Sequence, residues 1–166
     1  GAVALISDSG TRLEEAADLH IEDLHLDDEI PYVDITPHPW RSLKTKGSQR
    51  QVPLVGASLW AAQRIKQSAS STFAFDRYTD NQQCRANSAS NTLNKWRQSH
   101  FREDIVIHGF RHALRDRLRA EQCPSEMMDQ IGGWSSGKIG EGYGDGFKVD
   151  LISEKMRETL KYTSDL

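Results

Sequence analysis

Ile107-His-Gly-Phe-Arg111-His-Ala-Leu-Arg115-Asp-Arg-Leu-Arg119-Ala-Glu121 is the stretch that decides the fold. Phe110, Leu114 and Leu118 recur every four residues and predict the core stripe of a helix over His108–Glu121. Arg111, Arg115 and Arg119 recur with the same period one position along, giving one helix an apolar ridge and an arginine ridge. Arginine presents a planar fork of donors that fits two oxygens of a phosphate at once, which a lysine cannot do.

Outward from this helix, most of the chain also reads as helical. Downstream, Pro124 opens a short helix over Ser125–Ile131 that stops at Gly132-Gly133, and Leu151, Ile152, Met156 and Leu160 predict a last helix over Val149–Leu160. That last helix either packs on its own core or docks on a neighbouring protomer. Upstream, Leu59, Trp60, Ala62 and Ile65 predict a helix over Ala57–Gln67, and Leu93, Trp96 and Phe101 one over Ser90–Phe101. The polar stretch between these two is a surface connection anchored by Phe73, Phe75 and Tyr78. Near the start, Thr11-x-x-Glu14 reads as a capping box for a helix from Arg12 to about Leu19, with Leu13, Ala16 and Ala17 inward and Arg12 in the anion-favouring first turn. Ile30–Ile35 reads as a strand. Segments near Trp40–Lys44 and at Arg50–Leu54 read as an antiparallel hairpin turning at Gly47-Ser48, with Lys46 at the turn. The fold class is therefore α+β, mainly helical, with a small antiparallel sheet near the N-terminus.

The 166 residues suffice for one domain with a core of its own. No apolar run is long enough to span a membrane, so no membrane partner is expected. Two cysteines, Cys84 and Cys123, are too few for a disulfide framework and point to a reducing compartment. Gly1 in place of Met, and an opening almost directly on a motif, read as an excised domain. The net charge of −3 hides a segregation: residues 1–39 carry one Arg against ten acids, residues 40–119 fifteen bases against five acids, and residues 120–166 five bases against nine acids. Such a distribution predicts one basic face for a phosphate backbone on a mildly acidic molecule.

Two motifs mislead. Gly132-Gly-Trp-Ser-Ser-Gly-Lys138 imitates a phosphate-binding loop, but Ile139 stands where a magnesium-binding Ser or Thr is required. His108 and His112 have the i, i+4 spacing of a zinc site, but Gly109 replaces the glutamate such a site needs and no third ligand is patterned nearby. Neither a metal nor a cofactor is expected, and His112 reads as a neighbour that helps orient the site.

Dispersed along the chain, in order, stand Arg12, Lys46, His108-x-x-Arg111, Trp134 and Tyr143, with 23 positions from Arg111 to Trp134 and nine from Trp134 to Tyr143. Order and spacing together resemble the active site of the tyrosine recombinases of the phage-integrase type. Gly10-Thr-Arg12-Leu-Glu-Glu15 is similar to the family's first box, in which the glutamate supports the arginine. Thr45-Lys46-Gly47 before Arg50-Gln-Val-Pro53-Leu54 resembles the lysine hairpin, with Lys44 the weaker candidate for its role. Ile107–His112 resembles the second box and Ile131–Ser136 the turn that holds the third phosphate ligand. In one respect the chain departs from the family: Gly137, Gly140, Gly142, Gly144 and Gly146 crowd around Tyr143, which predicts a mobile segment where relatives have a short helix.

The resemblance implies a catalytic core of the tyrosine-recombinase type over residues 1–166, without the N-terminal core-binding domain of relatives. It implies a site-specific recombinase or integrase that cleaves and rejoins DNA through a 3′-phosphotyrosine, with Arg12, Lys46, His108, Arg111, Trp134 and Tyr143 catalytic and Glu15 and His112 supporting. Arg41, Lys44, Arg50 and Arg115 are expected to contact the DNA backbone. The implied partners are double-stranded DNA and further protomers in a tetrameric synapse; the implied setting is the cytoplasm, DNA-associated, in a bacterial or phage-encoded system. A tyrosine-type topoisomerase and a non-cleaving DNA-binding relative remain as alternatives.

Overall fold

The computed structural model describes residues 1–43, 48–79, 83–100, 106–134 and 146–163. The chain opens with α1 (Ala2–Ser9), which places Leu5 and Ile6 in the core between α3 (Gly56–Ser68) and α5 (Ile107–Ala120). Asp8 ties these three helices together. Its Oδ2 accepts the Ala57 N–H at the start of α3 at 2.8 Å, and its Oδ1 accepts both terminal nitrogens of Arg117 on α5 at 3.0 Å. An anion at a helix N-terminus and a two-pronged guanidinium contact are each favourable on their own.

Next comes α2 (Leu13–Ala17), one residue later than the capping box in the sequence suggests. Thr11 is buried with its hydroxyl on the Ser9 hydroxyl at 2.9 Å, and Glu15 rather than Glu14 reaches back to a backbone N–H, that of Arg12, at 2.8 Å. Arg12 therefore sits at the N-cap in extended conformation, not in the first turn.

The sheet is antiparallel with three strands in the order β1 (Leu24–His25), β2 (Tyr32–Ile35), β3 (Arg50–Pro53). Val33 pairs with Val52, and Ile35 with Arg50. The partner of β3 is thus β2, and the expected hairpin strand over Trp40–Lys44 does not form within its described part, where His38 and Arg41 make only an isolated bridge. Two prolines, Pro37 and Pro39, interrupt the ladder there, and the Arg41 side chain turns inward to donate to the Thr36 carbonyl at 2.9 Å and 2.6 Å.

The remaining elements are α4 (Ala86–His100), α6 (Ser125–Gly132) and α7 (Val149–Glu158), the last continued by a 3₁₀ turn at Thr159–Tyr162. Helix α7 lies against the chain's own β3 through Ile152 and Met156, both fully buried. Three apolar residues assigned to inner faces by their spacing turn outward instead: Trp60 and Leu151 are half exposed, and Trp96 is exposed with its ring on His100. Trp60 has Arg64 over its ring at 5.8 Å.

Folding also redistributes the segregated charge. Five of the ten acids in residues 1–39, namely Asp8, Glu15, Asp18, Asp23 and Asp27, pair with bases of the positive middle segment. The acidic N-terminal part thus neutralises much of the middle segment from within, and the basic face is smaller than the sequence sum implies.

Candidate active site

Glu15 is the electrostatic centre of the site. Its carboxylate accepts the Arg12 N–H at 2.8 Å, Arg12 Nη1 at 2.7 Å, and Arg50 Nη1 and Nη2 at 3.1 and 2.8 Å. Burial by itself would raise the Glu15 pKa; the hydrogen bonds and charges of Arg50 and Arg12 outweigh it and hold the group at about 2. Glu15 is accordingly a permanent anion wedged between two guanidinium groups. Arg12 Nη1 also reaches the Ser48 hydroxyl at 3.3 Å.

The second organising element is the C-terminal end of α6. A helix leaves its last carbonyls without intrahelical donors and carries partial negative charge there. Three arginines from three parts of the chain supply the donors: Arg50 Nε to the Ile131 carbonyl at 2.9 Å, Arg111 Nη2 to the Gly132 carbonyl, and Arg12 Nη2 to the Gly133 carbonyl at 2.7 Å. Gly133 takes the left-handed conformation at φ 57°, and a Cβ on it would lie 2.9 Å from Arg50 Nη1. The glycine pair is therefore a helix stop, Gly132 packed on the Trp134 ring and Gly133 on the Arg50 guanidinium, which accounts for two of the glycines that imitate a phosphate-binding loop.

Arg111 is 2 % exposed and stands on the buried stripe of α5 with Ile107, Leu114 and Leu118. The arginine ridge seen in the sequence therefore spirals from core to solvent, Arg111 buried, Arg115 partly so, Arg119 exposed, while Phe110 is only half buried. A repeat of four residues advances faster than the helix turns, so each step rotates about 40° around the axis. Besides Gly132, Arg111 donates to the Gly10 carbonyl through Nη1. Burial, and then the neighbouring Arg12 charge, bring its pKa down to about 10, so it stays charged at neutral pH.

Trp134 packs where these groups meet. The Arg111 and Arg115 guanidinium carbons lie 4.6 and 4.9 Å from its ring, cation–π contacts that fix the indole. Asp129 approaches Arg115 at 3.7 Å, and Arg115 Nε is a buried donor without a hydrogen-bond acceptor among the described residues. His108 and His112 stand exposed on the first turns of α5, rings edge to face with centroids 4.6 Å apart. Partial burial, then His112, Arg111 and Arg12, lower the His108 pKa, which favours a neutral imidazole able to accept a proton. Beside it, Thr11, Leu13, Asn94, His108 and Arg111 line a cleft of about 330 Å³.

The structure thus brings Arg12, Glu15, His108, Arg111, His112, Arg115 and Trp134 into one neighbourhood, although they span more than 120 positions of the sequence. Arg41 and Arg50 do not join its surface. Arg41 is buried against Asp18 at 2.9 Å and Asp23 at 3.2 Å, and Arg50 against Glu15 at 2.8 Å. Each has its charge met by internal carboxylates, whereas the hydrogen bonds of Arg111 among the described residues go to carbonyls, so the reading of Arg41 and Arg50 as DNA-contacting bases is corrected. Lys44, Lys46 and Tyr143 lie outside the described residues. Ser48, beside Arg12, and Asp129, beside Arg115, are supporting groups that the sequence did not reveal, since neither belongs to a periodic or spaced pattern.

The model of the phage integrase family matches residues 1–146, and the chain belongs to that family. The matched range takes in Lys46 and Tyr143 as well as the described cluster. Membership carries tyrosine-recombinase-type DNA recombination as the general class of activity and DNA as the general partner. No curated protein and no solved structure matches the chain. Among the described residues no helix is long and apolar enough to cross a membrane.

Proposed function

We propose that residues 1–166 form the catalytic domain of a site-specific DNA recombinase, which acts with a separate core-binding domain and further protomers on double-stranded DNA. The observation that carries this reading is the meeting of Arg12, Arg111 and Trp134 at the α6 terminus with His108 beside them. Two guanidinium groups held by carbonyls and by Glu15 form a prearranged cationic site. Such donors stabilise the charge that a pentacoordinate phosphorus gains on its non-bridging oxygens, each one typically contributing on the order of 10²–10³ in rate.

In this mechanism the Tyr143 oxygen attacks the scissile phosphorus. The new O–P bond forms as the bond to the 5′ oxygen breaks, leaving a 3′-phosphotyrosine and a free 5′ hydroxyl. His108 takes the tyrosine proton, consistent with its lowered pKa. Lys46 delivers a proton to the departing 5′ oxygen, and Trp134 adds an indole N–H donor to the phosphate. Attack of a 5′ hydroxyl from a partner strand reverses these steps, so neither metal nor nucleotide is consumed. Arg115 and Lys44 are the backbone-contacting bases of this reading, and His112 orients His108.

A suicide substrate nicked beside the scissile phosphate tests the proposal, because loss of the short 5′ product traps the covalent complex. The expected result is a protein–DNA adduct with the wild type and none with Tyr143→Phe, which still binds DNA. DNA binding without an adduct by the wild type would refute cleavage and leave the non-cleaving relative; adducts without strand transfer between two duplexes would favour the topoisomerase.

A further inference from the structure

Among the groups read above as phosphate ligands, Trp134 differs in offering a single side-chain N–H, fixed in the plane of its ring. Its worth therefore depends on the orientation of that ring, since an N–H···O bond is best above about 150° and weakens steeply below about 120°. The backbone of Trp134 is anchored: the Asp129 carbonyl accepts its N–H at 3.0 Å and accepts the Gly133 N–H as well. That anchor leaves the two side-chain torsions of the tryptophan to be set by the groups that meet the indole.

Gly132 lies so close to the indole that a Cβ on it would collide with the six-membered ring. Arg111 and Arg115 bring their guanidinium carbons to 4.6 and 4.9 Å from the ring centre. Arg111 is tied to the Gly10 and Gly132 carbonyls and so has a position of its own. Arg115 stands four residues further along α5, on the same side of the helix. Its Nε is buried without an acceptor among the described residues, an unfavourable placement for an N–H, so the ring and the facing carboxylate are what hold Arg115 there. That carboxylate is Asp129, 3.7 Å from Nη2, too far for a good hydrogen bond but near enough to offset the repulsion between two neighbouring guanidinium groups. Asp129 thus serves the tryptophan twice, through its carbonyl on the backbone and through Arg115 on the indole.

We infer that Arg115, held by Asp129, is the positioning residue of Trp134: it fixes the plane of the indole and with it the aim of the indole N–H at the phosphate. The inference rests on the reading of Trp134 as a phosphate ligand given above. A contact of Arg115 with the DNA backbone belongs to affinity, whereas its hold on the indole belongs to the rate at saturating DNA.

Two measurements test it. One is the indole N–H spectrum of the free ¹⁵N-labelled protein, in which the chain's four tryptophans give four resonances and Trp134→Phe identifies that of Trp134. The other is single-turnover adduct formation on the nicked suicide substrate at saturating DNA, beside the DNA dissociation constant. The variants are Arg115→Met, a neutral side chain of similar length, and Asp129→Asn, which keeps the backbone carbonyl, each alone and combined with Trp134→Phe. The expected result is a Trp134 resonance that shifts and broadens in Arg115→Met, and less so in Asp129→Asn, while the other three stay in place. Adduct formation should slow on the order of 10-fold in Arg115→Met, short of the roughly 10²–10³ expected for losing a whole donor. Adding Arg115→Met to Trp134→Phe should slow it no further, because the N–H to be aimed is already gone. An unmoved Trp134 resonance in a folded Arg115→Met would overturn the inference. So would wild-type rates in that variant, equal slowing in both backgrounds, or a loss confined to the dissociation constant. If the wild type itself forms no adduct, the phosphotyrosine reading fails, and the resonance alone decides whether Arg115 holds the indole.

Discussion

Replacing Glu15 with glutamine removes one charge and almost no volume from the point where Arg12 and Arg50 converge. The amide retains one acceptor oxygen and turns an NH₂ group toward guanidinium donors, so it cannot keep the four contacts that the carboxylate makes. The Arg50 side chain, 2 % exposed, would be left as a poorly compensated buried cation. Two routes give the magnitude. The fall of the Glu15 pKa from 4.5 to about 2 corresponds to about 3 kcal/mol in favour of the folded state at neutral pH. Removal of one partner of a buried ion pair typically costs about 3–5 kcal/mol. For a domain of this size the melting temperature should fall by roughly 6–20 °C. The sign of the pH dependence follows from the depressed pKa. The stabilisation is present above about 4.5 and disappears as the pH falls through about 2, so wild type and Glu15→Gln should converge toward pH 2. Urea unfolding at pH 7 and at a series of lower pH values measures both effects. A loss below about 1 kcal/mol at pH 7, or a difference that persists unchanged to pH 2, would refute the claim that Glu15 is the electrostatic anchor of the cluster.

Asp18 should act in the opposite sense: burial outweighs the Arg41 pair and raises its pKa from 3.8 to about 6, so its contribution to stability is full below about 3.8 and is lost as pH rises through about 6. Unfolding free energies should therefore rise by about 1 kcal/mol from pH 7.5 to pH 5 in the wild type and stay flatter in Asp18→Asn. Arg111→Lys should form adduct at least on the order of 10²-fold more slowly, because an ammonium cannot serve the Gly10 and Gly132 carbonyls and a phosphate together; near-normal cleavage in a gel assay would remove Arg111 from the clamp. Lys46→Ala should regain most of its rate on a substrate whose 5′ leaving oxygen is replaced by sulfur, which departs without a proton. Equal slowness on both substrates would shift the acid role to Lys44.

The helical part of the fold is legible because its signals are periodic: α3, α5, α6 and α7 each carry apolar residues at helical spacing, and the glycine pair marks the end of α6. The elements that escape are those whose partners are remote. Strand β1 is two residues long and exists only through its pairing with β2, and α1 has no polar face wide enough to mark it. Arg41 and Arg50 read as surface bases because a count of charge along the chain cannot see that acids of the first 39 residues fold back onto them. Arg111 stands out by its spacing to His108 and Trp134, yet its place on the buried stripe of α5 follows only from the backbone carbonyls it meets at Gly10 and Gly132. A lone glutamine such as Gln130 has no sequence signature at all; its hydrogen bonds go to Phe147, 17 positions away.

Tyr143 is the proposed nucleophile, and the chain's other three tyrosines make the comparison sharp. Tyr162 donates its hydroxyl to Glu121 at 2.5 Å, which raises its pKa and leaves it poorly disposed to attack phosphorus. Peptide mapping by tandem mass spectrometry of the adduct trapped on the suicide substrate, after nuclease trimming, tests the claim most directly. The expected result is a nucleotide remnant on Tyr143 alone; a remnant on Tyr32, Tyr78 or Tyr162 would contradict it.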